Sequence, residues 1–379
     1  MEARDRPTEH AVAMLYSKSF REHPWEEDIY YAPGQLQRQF RDYGLEYHVA
    51  VALSEPGRGN VLPEVTIARD PVFNDAGTLI AANFQPGDLS AYPAVIDHNV
   101  PNFQQEVDQG DGTTLRTANG VGLKPSHLWN HKAGQGIGNR KDRMDVLLHE
   151  EGVGIKSVNV LDFEQLGDDT EVIYKPVDGS EAGDIEYFSN FTALRRAIAE
   201  GRLATNGLVQ PYFHHSAPIQ GLVPANDDEA RLLREVNGNR LCEIRMHVLV
   251  TIDDEGQPQV ESYPTLKFSL PGKEYLRYGG WVGLDPSCIP EGSFTHDKTV
   301  ALGKRVSEVA GQDTEEGQPI QLHGAIDWYT NGHILDPENN KVGEGNWRGP
   351  SHPVKAVFAR RAVVRGVAYS AHRNLRQAA

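Results

Sequence analysis

The stretch EVIYKPVDGSEAG, residues 171 to 183, runs from an apolar segment through Lys175 into a loop of small residues between two glycines. The apolar segment predicts a β-strand. Glycine permits close backbone approach, and successive backbone N–H groups in such a loop converge on an anion. The pattern therefore favours a phosphate site. A plain hairpin turn has the same composition, so this stretch alone leaves both interpretations open.

The composition restricts the class of partner. A chain of 379 residues is long enough for two or three domains, and 39% hydrophobic with 24% charged residues is typical of a soluble globular protein. The formal net charge of −16 opposes broad contact with nucleic acid or anionic lipid, because both need a positive field. We therefore expect neither partner, and any polyanionic ligand must be bound by a local basic cluster.

The sequence also indicates a compartment. No apolar run approaches the ~20 residues that span a bilayer, and the N-terminal MEARDRPTEH is charged where a signal peptide would be hydrophobic. We therefore expect a cytoplasmic protein. Cys242 and Cys288 are the only cysteines. They are too few for a disulfide framework or a zinc cluster, so we expect inert thiols.

The hydrophobic patterns predict an N-terminal α/β unit that ends near residue 125. Its short β-type runs, separated by turn residues, cover residues 46–53, 64–70, 78–84 and 92–100. A helix follows, because Met144, Leu147 and Leu148 recur at helical spacing before Gly152. Further along, the patterns predict strands at 156–163, 171–177, 184–190 and 206–213, with a helix from residue 191 to 201.

The C-terminal part is predicted to contain a β-hairpin. Residues 241–268 alternate in both arms around DDEGQ, whereas residues 214–240 show little periodicity and are predicted to be a long connection. A helix at 297–312 is expected to precede strands at 323–330 and 333–337. The arginine-rich tail after Val354 is predicted to be a helix that covers the acidic body or is simply solvated.

Three features now follow one another: Lys175 with its glycine loop, the strand LVQPYF at 208–213, and the C-terminal pair GAIDWYT and GEGNW. This order resembles the ATP-grasp ligases, the superfamily of glutathione synthetase, D-alanine:D-alanine ligase and the ribosomal-protein glutamate ligases, over roughly residues 139 to 348. The resemblance implies an α/β (α+β) fold in which two α+β lobes sandwich ATP. The expected domains are an N-terminal α/β domain (1–125), a central lobe with a glycine-rich lid (126–213) and a C-terminal lobe with metal ligands (214–379).

The resemblance assigns nucleotide-binding residues. Lys175 corresponds to the lysine beneath the nucleotide phosphates, and DGSEAG to the loop that closes over them. Lys141 corresponds to the earlier family lysine, with Lys132 as the alternative. The remaining residues expected to bind the nucleotide lie in the loop and in the strand that offers backbone groups to adenine: Gly179, Ser180, Gly183, Gln210, Pro211 and Tyr212.

The resemblance also assigns residues to catalysis and to metal binding. Arg245 lies in an acidic-x-Arg strand and would be directed at the phosphates, and Arg277 would lie beside the acyl phosphate. Asp327, Glu344 and Asn346 match the family's ligands for two Mg²⁺ ions. The gap between Asp327 and Glu344 is longer than usual, so Asp336 is an alternative ligand.

The chemistry of the residues supports the metal site without the family. Mg²⁺ prefers oxygen ligands and keeps several waters, so one Asp, one Glu and one Asn amide oxygen suffice together with phosphate oxygens. The strand period of two places Glu344 and Asn346 on one face, with only Gly345 between them.

The implied reaction joins a small-molecule carboxylate to an amine. The carboxylate attacks the γ-phosphate of ATP to give an acyl phosphate and ADP, and the amine then displaces phosphate, while the closed loop excludes water. The alternatives are a small-molecule kinase of the same fold and a non-catalytic nucleotide-binding protein. An amidino-group enzyme, suggested by TIARDPVF, has little support because no cysteine lies near the end of the chain.

The substrate end of the site and the oligomeric state are less constrained by the sequence. Asp97, His98 and Asn99 end a predicted strand of the N-terminal unit and are candidates to face the carboxylate, with a turn as the alternative. A homodimer is left open.

Overall fold

In the computed structural model the chain forms three main β-sheets with helices packed against them. The structure describes residues 11–17, 33–42, 44–54, 65–75, 79–97, 105–108, 114–117, 128–129, 132–167, 171–177, 185–213, 219–236, 241–269, 278–314, 316–347 and 357–378. The mixed α/β class expected from the sequence is confirmed.

The N-terminal sheet has the strand order β4-β3-β2-β1-β5-β8. Strand β1 pairs in parallel with β2 and β5, and β5 pairs in parallel with β8, whereas β3 and β4 form an antiparallel edge. Parallel strands are buried on both faces, which agrees with the full burial of Val12, Ala13 and Met14. The elements are β1 (Ala11–Ser17), α1 (Pro33–Asp42), β2 (His48–Ser54), β3 (Val65–Phe73), β4 (Leu79–Pro86), β5 (Ala94–Asp97) and β8 (Leu128–Trp129).

A separate two-stranded ribbon, β6 (Gln105–Asp108) with β7 (Thr114–Thr117), lies between β5 and β8 in the chain. Because β8 belongs to the N-terminal sheet, this sheet extends to Trp129. The indole of Trp129 is buried in the core of the sheet.

The central sheet has the order β11-β10-β12-β9 and is antiparallel throughout. Its strands and helix are β9 (Val158–Asn159), β10 (Val172–Lys175), β11 (Glu186–Phe188), α4 (Phe191–Ala199) and β12 (Leu208–Pro211). Helix α4 begins where the Asn190 side chain accepts from Ala193 N, and it buries Leu194 and Ala197, as its periodicity predicts.

The strand predicted at residues 156–163 is wrong for most of its length. Only Val158 and Asn159 pair with β12, and residues 160–166 form a 3₁₀ helix. The Asn159 side chain accepts from Leu161 N at 2.9 Å. This local bond competes with continuation of the sheet, because a short polar side chain can satisfy the backbone in place of a ladder partner.

The C-terminal sheet has the order β15-β14-β13-β16-β17 and contains the predicted hairpin. Its strands are β13 (Cys242–Ile252), β14 (Pro258–Ser269), β15 (Tyr278–Gly283), β16 (Leu322–Thr330) and β17 (Asn340–Asn346). One face packs against α2 (Lys132–Asn139), α3 (Lys141–Glu150) and α6 (Phe294–Gln312) in the largest hydrophobic core. Met144, Leu147 and Leu148 of α3 lie in this core, as the sequence predicts.

Two further expectations for this region are wrong. Residues 333–337, predicted as a strand, form a turn, in which the Asp336 carboxylate accepts from Glu338 N. The predicted connection at 214–240 contains the helix α5 (Asp227–Val236). Asn226 accepts from Glu229 N at its start, and three acidic residues fill the first turn. These are helix-start signals that periodicity alone does not register.

The arginine-rich tail forms α7 (Val357–Ala378) and joins two parts of the molecule. Its apolar side chains, from Ala362 to Ala371, share a core with the N-terminal strands and with Leu249 of β13. Arg373 is buried and donates to Ile252 O at 2.5 Å, whereas Arg365 and Arg376 pair with acidic residues of the β13–β14 hairpin. Of the two roles predicted for this helix, covering the acidic body is the one observed for these residues. Among the helices of the described residues, none is long and apolar enough to cross a membrane.

Candidate functional site

One face of the C-terminal sheet carries polar side chains from four neighbouring strands, and we call it the polar face. Because paired residues of antiparallel strands point to the same side, the register groups these side chains into rows. The first row is Lys267, Glu243 and Tyr329, the second is Thr265, Arg245, Asp327 and Glu344, and the third is Tyr263, His247, Ala325 and Asn346. Ile244 and Met246, which alternate with these residues on β13, lie in the apolar core on the other face.

The second row is centred on a buried ion pair. Arg245 donates to Asp327 through Nε at 2.6 Å and Nη2 at 2.5 Å, and both side chains are almost fully buried. The guanidinium also lies over the ring of Trp281, 4.9 Å from its centroid. Burial would raise the pKa of Asp327, but Arg245 and Lys267 outweigh it, so the pKa lies below its usual range. Asp327 is therefore held as a carboxylate.

The first row contains a second ion pair. Lys267 contacts Glu243, and its Nζ also lies 3.7 Å from Asp327 Oδ2. Burial raises the pKa of the Glu243 carboxyl to about 7, against the opposing effect of Lys267. Burial lowers the pKa of Lys267, but Glu243 and Asp327 outweigh this effect and raise it overall. Two cations and two carboxylates thus share one desolvated surface.

The three predicted metal ligands come together on this face. Asp327 lies directly opposite Glu344, and Asn346 lies opposite Ala325, one row further along the same strands. The register shifts between Asp327 and Trp328, which leaves Gly343 as an extra residue in β17. A Cβ atom at position 343 would lie 2.1 Å from the ring of Tyr329, so glycine is needed for this close approach. The alternative ligand, Asp336, is in the turn between β16 and β17 and accepts from Glu338 N and from the Asn339 amide.

The donor set suits magnesium. Carboxylate and amide oxygens are hard ligands of the type that Mg²⁺ prefers, and Asp327, Glu344 and Asn346 supply them from adjacent strands. The Nδ2 atom of Asn346 is buried and makes no hydrogen bond with the described part of the protein. The two bonds from Arg245 restrain the Asp327 carboxylate.

The two predicted lysines meet at the edge of this face. Lys175, the last residue of β10, is 7% exposed and donates from Nζ to Gly343 O at 3.1 Å, which joins the central and C-terminal sheets. Lys141, the first residue of α3, donates from Nζ to Pro176 O at 3.1 Å, next to Lys175 in the chain. Helix α2 begins at Lys132, the alternative to Lys141, and the Lys132 side chain lies outside the described residues.

The electrostatic environment of Lys175 is unusual. Burial lowers the pKa of its ammonium group to about 8, and the charge of Lys141 adds to this effect. Glu344, Glu243 and Asp145 oppose it, with Glu344 the strongest of the three. The two lysines thus form a local basic cluster in an otherwise acidic protein. A buried cation gains most from an added anion, so this cluster suits an anionic ligand.

The residues that follow β12 lie beside the polar face. Gln210 is 7% exposed, and its Nε2 atom has no hydrogen-bond partner among the residues that the structure describes. Tyr212 N donates to Glu171 O at 2.7 Å, and the contact of this segment with adenine stays a prediction. Phe213 stacks on Tyr329 of the polar face at 6.2 Å between ring centroids.

Several predicted site residues lie outside the described part of the chain. These are Gly179, Ser180 and Gly183 of the glycine loop, Arg277, and two of the three N-terminal candidates, His98 and Asn99. Asp97 is the last residue of β5.

Sequence reasoning did not assign roles to Glu243, Lys267 or Tyr329. A signal for two of them was present, because the predicted hairpin around DDEGQ fixes the register that pairs Glu243 with Lys267. Tyr329 lies two residues after Asp327 on the same strand and therefore on the same face. Its significance depends on the contact of its ring with Phe213, which follows β12 in the chain, and no local pattern reveals that contact.

Several solved structures are similar to the chain over most of its length. The D-alanine-D-alanine ligase from Coxiella burnetii is 11% identical, with a TM-score of 0.46 over 97% of this chain and 96% of the ligase. The D-cycloserine synthetase DcsG is 14% identical, with a TM-score of 0.47 over 94% and 99%. A RimK-domain ATP-grasp protein from Sphaerobacter thermophilus is 13% identical, with a TM-score of 0.39 over 95% and 98%.

No protein-family model matches the sequence, and no curated protein matches it either. The functional argument therefore rests on the side chains described above and not on these comparisons.

Proposed function

We propose that this protein is an ATP-dependent ligase that joins a small carboxylate, an amino acid or a derivative of one, to an amine through an acyl phosphate, and releases ADP and phosphate. The observation that carries the proposal is the bond from Lys175 Nζ to Gly343 O. This bond brings the basic cluster of Lys141 and Lys175 against the strand that carries Glu344 and Asn346. The cationic side chains that would bind phosphates therefore lie next to the oxygen ligands that would bind a metal ion, at one edge of the polar face.

The nucleotide would lie between β12 and the polar face. Lys141 and Lys175 would bind its phosphates, since Nζ of Lys141 donates to Pro176 O and Nζ of Lys175 to Gly343 O at this edge. Arg245 keeps Asp327 ionised, and Asp327, Glu344 and Asn346 would hold two Mg²⁺ ions, which offset phosphate charge when bound. A fourth cation, Lys267, lies with its Nζ 3.7 Å from Asp327 Oδ2.

These residues would act by positioning and charge compensation. Phosphoryl transfer needs in-line placement of the attacking carboxylate and neutralisation of the phosphate oxygens, and it needs little covalent help from the protein. The described face offers Lys175, Arg245 and Lys267 for neutralisation. The loop DGSEAG next to Lys175 is proposed to cover the acyl phosphate, because water would otherwise hydrolyse it.

The test is an assay of the full-length protein with ATP and Mg²⁺ in the presence of hydroxylamine. Each of the twenty common amino acids and D-alanine serves in turn as the carboxylate, and ADP and hydroxamate are measured together. A ligase yields both products with at least one carboxylate. ADP without hydroxamate or amide would identify the alternative small-molecule kinase, and no ADP with any partner would identify a nucleotide-binding protein without turnover.

A further inference from the structure

The strand that carries two of the proposed metal ligands rests directly on a methionine of helix α3. Gly345 lies between Glu344 and Asn346, and its cross-strand neighbour, Ile326, belongs to the apolar core. A Cβ atom at position 345 would lie 2.6 Å from Cε and 2.8 Å from Sδ of Met144. The backbone of β17 therefore meets the thioether of this methionine at the point where it carries the two ligands.

The Met144 side chain is held in one position by Trp347, the residue that follows β17. Both side chains are buried, and the indole Nε1 of Trp347 donates to the Sδ atom of Met144 at 3.3 Å. A buried indole N–H usually needs an acceptor, and the thioether sulfur supplies one here. Methionine is otherwise a flexible side chain, so this bond fixes the sulfur on the core side of Gly345.

The close contact, and not the backbone conformation, explains the glycine at position 345. The φ angle of Gly345 lies outside the left-handed region, so other residues could adopt it. Glycine within a strand often marks a place where another group approaches closely. A methyl group on Gly345 would meet Met144 and would also lie 2.9 Å from Nε1 of Trp347. An added side chain must therefore displace the methionine from its bond or displace the strand.

The same helix carries one of the two lysines of the basic cluster. Lys141 is the first residue of α3 and precedes Met144 by three positions, so the two side chains are neighbours on the helix. Lys141 contacts the end of β10 through two bonds, from Nζ to Pro176 O and from its backbone N to Val177 O at 3.3 Å. One turn of helix thus contacts the metal-ligand strand through Met144 and the strand of Lys175 through Lys141.

We propose that Met144 is a positioning residue for the metal site. By filling the space on the core side of Gly345, its thioether holds the backbone that carries Glu344 and Asn346 and sets the distance of both ligands from Lys141. The inference rests on the proposed function, in which these two residues bind Mg²⁺ together with the nucleotide. Because the two ligands flank Gly345, a shift of the backbone at this glycine moves both of them.

The first test is a size exchange across the contact. Gly345→Ala adds a methyl group against Met144, Met144→Ala removes the thioether, and the double variant gives the added methyl group room. The affinity of the full-length protein for Mn²⁺ is measured in the presence of ADP, from the electron paramagnetic resonance signal of free Mn²⁺. Each single change should weaken Mn²⁺ binding by about tenfold or more, as residues that orient metal ligands do. The double variant should bind Mn²⁺ more tightly than either single variant.

The matched control is Leu147→Ala. Leu147 lies on the same helix, is buried in the same core and is not among the nearest neighbours of a Cβ atom at position 345. Its truncation should lower the urea midpoint, as that of Met144 does, but it should leave the Mn²⁺ affinity unchanged. It should also fail to restore Mn²⁺ binding when it is combined with Gly345→Ala. The control thus separates positioning of the ligands from a general loss of core packing.

The second test needs neither metal nor nucleotide. The chain has five tryptophans, and ¹H–¹⁵N correlation spectra of the full-length protein with labelled tryptophan report their indole N–H groups. The Trp347 signal is the one that disappears in Trp347→Phe. Met144→Leu nearly conserves the volume of the side chain but removes the sulfur acceptor, so it should shift the Trp347 signal more than the others. An unmoved Trp347 signal would overturn the inference, because Met144 would not be held at Gly345.

The outcomes distinguish the inference from the proposed function. A wild type that binds no Mn²⁺ in the presence of ADP would contradict the proposed metal site and overturn the inference with it. A wild type that binds Mn²⁺, with unchanged affinity in the single variants or no recovery in the double variant, would overturn the role of Met144 alone. Equal recovery with Leu147→Ala would also overturn it. If Gly345→Ala does not fold, equal Mn²⁺ affinities of Met144→Ala and Leu147→Ala would be the refuting result.

Discussion

Replacing Lys175 by methionine should stabilise the free protein at neutral pH and abolish ATP turnover. Methionine is unbranched like lysine, is one atom shorter and carries no charge. Lys175 is 7% exposed, and burial lowers its pKa from 10.5 to about 8. The shift shows that the charged form is disfavoured in the folded state, so a neutral replacement should relieve this cost.

The magnitude follows from the linkage between protonation and folding. The unfolded state binds the proton up to pH 10.5 and the folded state only up to about 8, so stability rises with pH between these values. At 1.36 kcal/mol per pKa unit, the charged lysine costs about 3 kcal/mol below pH 8. Loss of the bond to Gly343 O offsets about 1 kcal/mol of the gain in the variant. The expected net stabilisation at pH 7 is therefore about 2 kcal/mol.

The assay is denaturant unfolding of wild type and variant at pH 7 and pH 10, followed by tryptophan fluorescence. The wild type should recover about 2 to 3 kcal/mol from this group by pH 10, so the advantage of Lys175→Met should disappear or reverse there. The matched control is Lys156→Met, since Lys156 is exposed and also donates to a carbonyl, Gln165 O at 2.9 Å. This control should change stability by less than about 0.5 kcal/mol at both pH values.

Two results would refute the reasoning about Lys175. If Lys175→Met destabilised the protein equally at pH 7 and pH 10, the lysine would not be a desolvated cation. If the variant kept at least half of the wild-type ADP production, the lysine would not act on the phosphates. ADP release is measured separately from unfolding, so each result is independent of the other.

Two further substitutions test the second row. Asp327→Asn should destabilise the protein by about 3–5 kcal/mol in urea unfolding, because it leaves Arg245 buried without its counter-charge. The control is Asp313→Asn, which should cost less than about 1 kcal/mol, because the pair of Asp313 with Arg143 is partly exposed. Equal losses of stability in the two variants would contradict the described burial of Asp327. Glu344→Gln should raise the Mg²⁺ concentration for half-maximal ADP release by more than about tenfold, since even outer partners of metal ligands have effects of that size. Asp336→Asn should leave this requirement unchanged, and the reverse pattern would move the metal site to the turn.

The sequence determined the elements that local patterns specify. Met144, Leu147 and Leu148 recur at helical spacing and are buried in α3, and the two alternating arms around DDEGQ form β13 and β14. The resemblance to the ATP-grasp ligases rests on short motifs and on their order along the chain. These features depend on neighbours in the chain, so they can be read without the fold.

Local patterns failed where a few side chains competed with the dominant signal. The apolar run at 156–163 predicted a strand, but the Asn159 side chain bonds to Leu161 N and begins a 3₁₀ helix. Helix α5 was missed because its evidence is a capping asparagine and an acidic first turn rather than a regular apolar stripe. The turn at 333–337 contains apolar residues, but Asp336 closes it by accepting backbone and side-chain donors.

Only the tertiary structure decided which charged residues share a site. Asp327 and Asp336 are both acidic residues ahead of Glu344, and the register between β16 and β17 places Asp327 opposite it. Lys175 and Gly343 are separated by 168 positions, yet they are hydrogen-bonded. Burial sets the low pKa of Lys175. It does so because desolvation depends on what every distant segment covers, and no stretch of sequence contains that information.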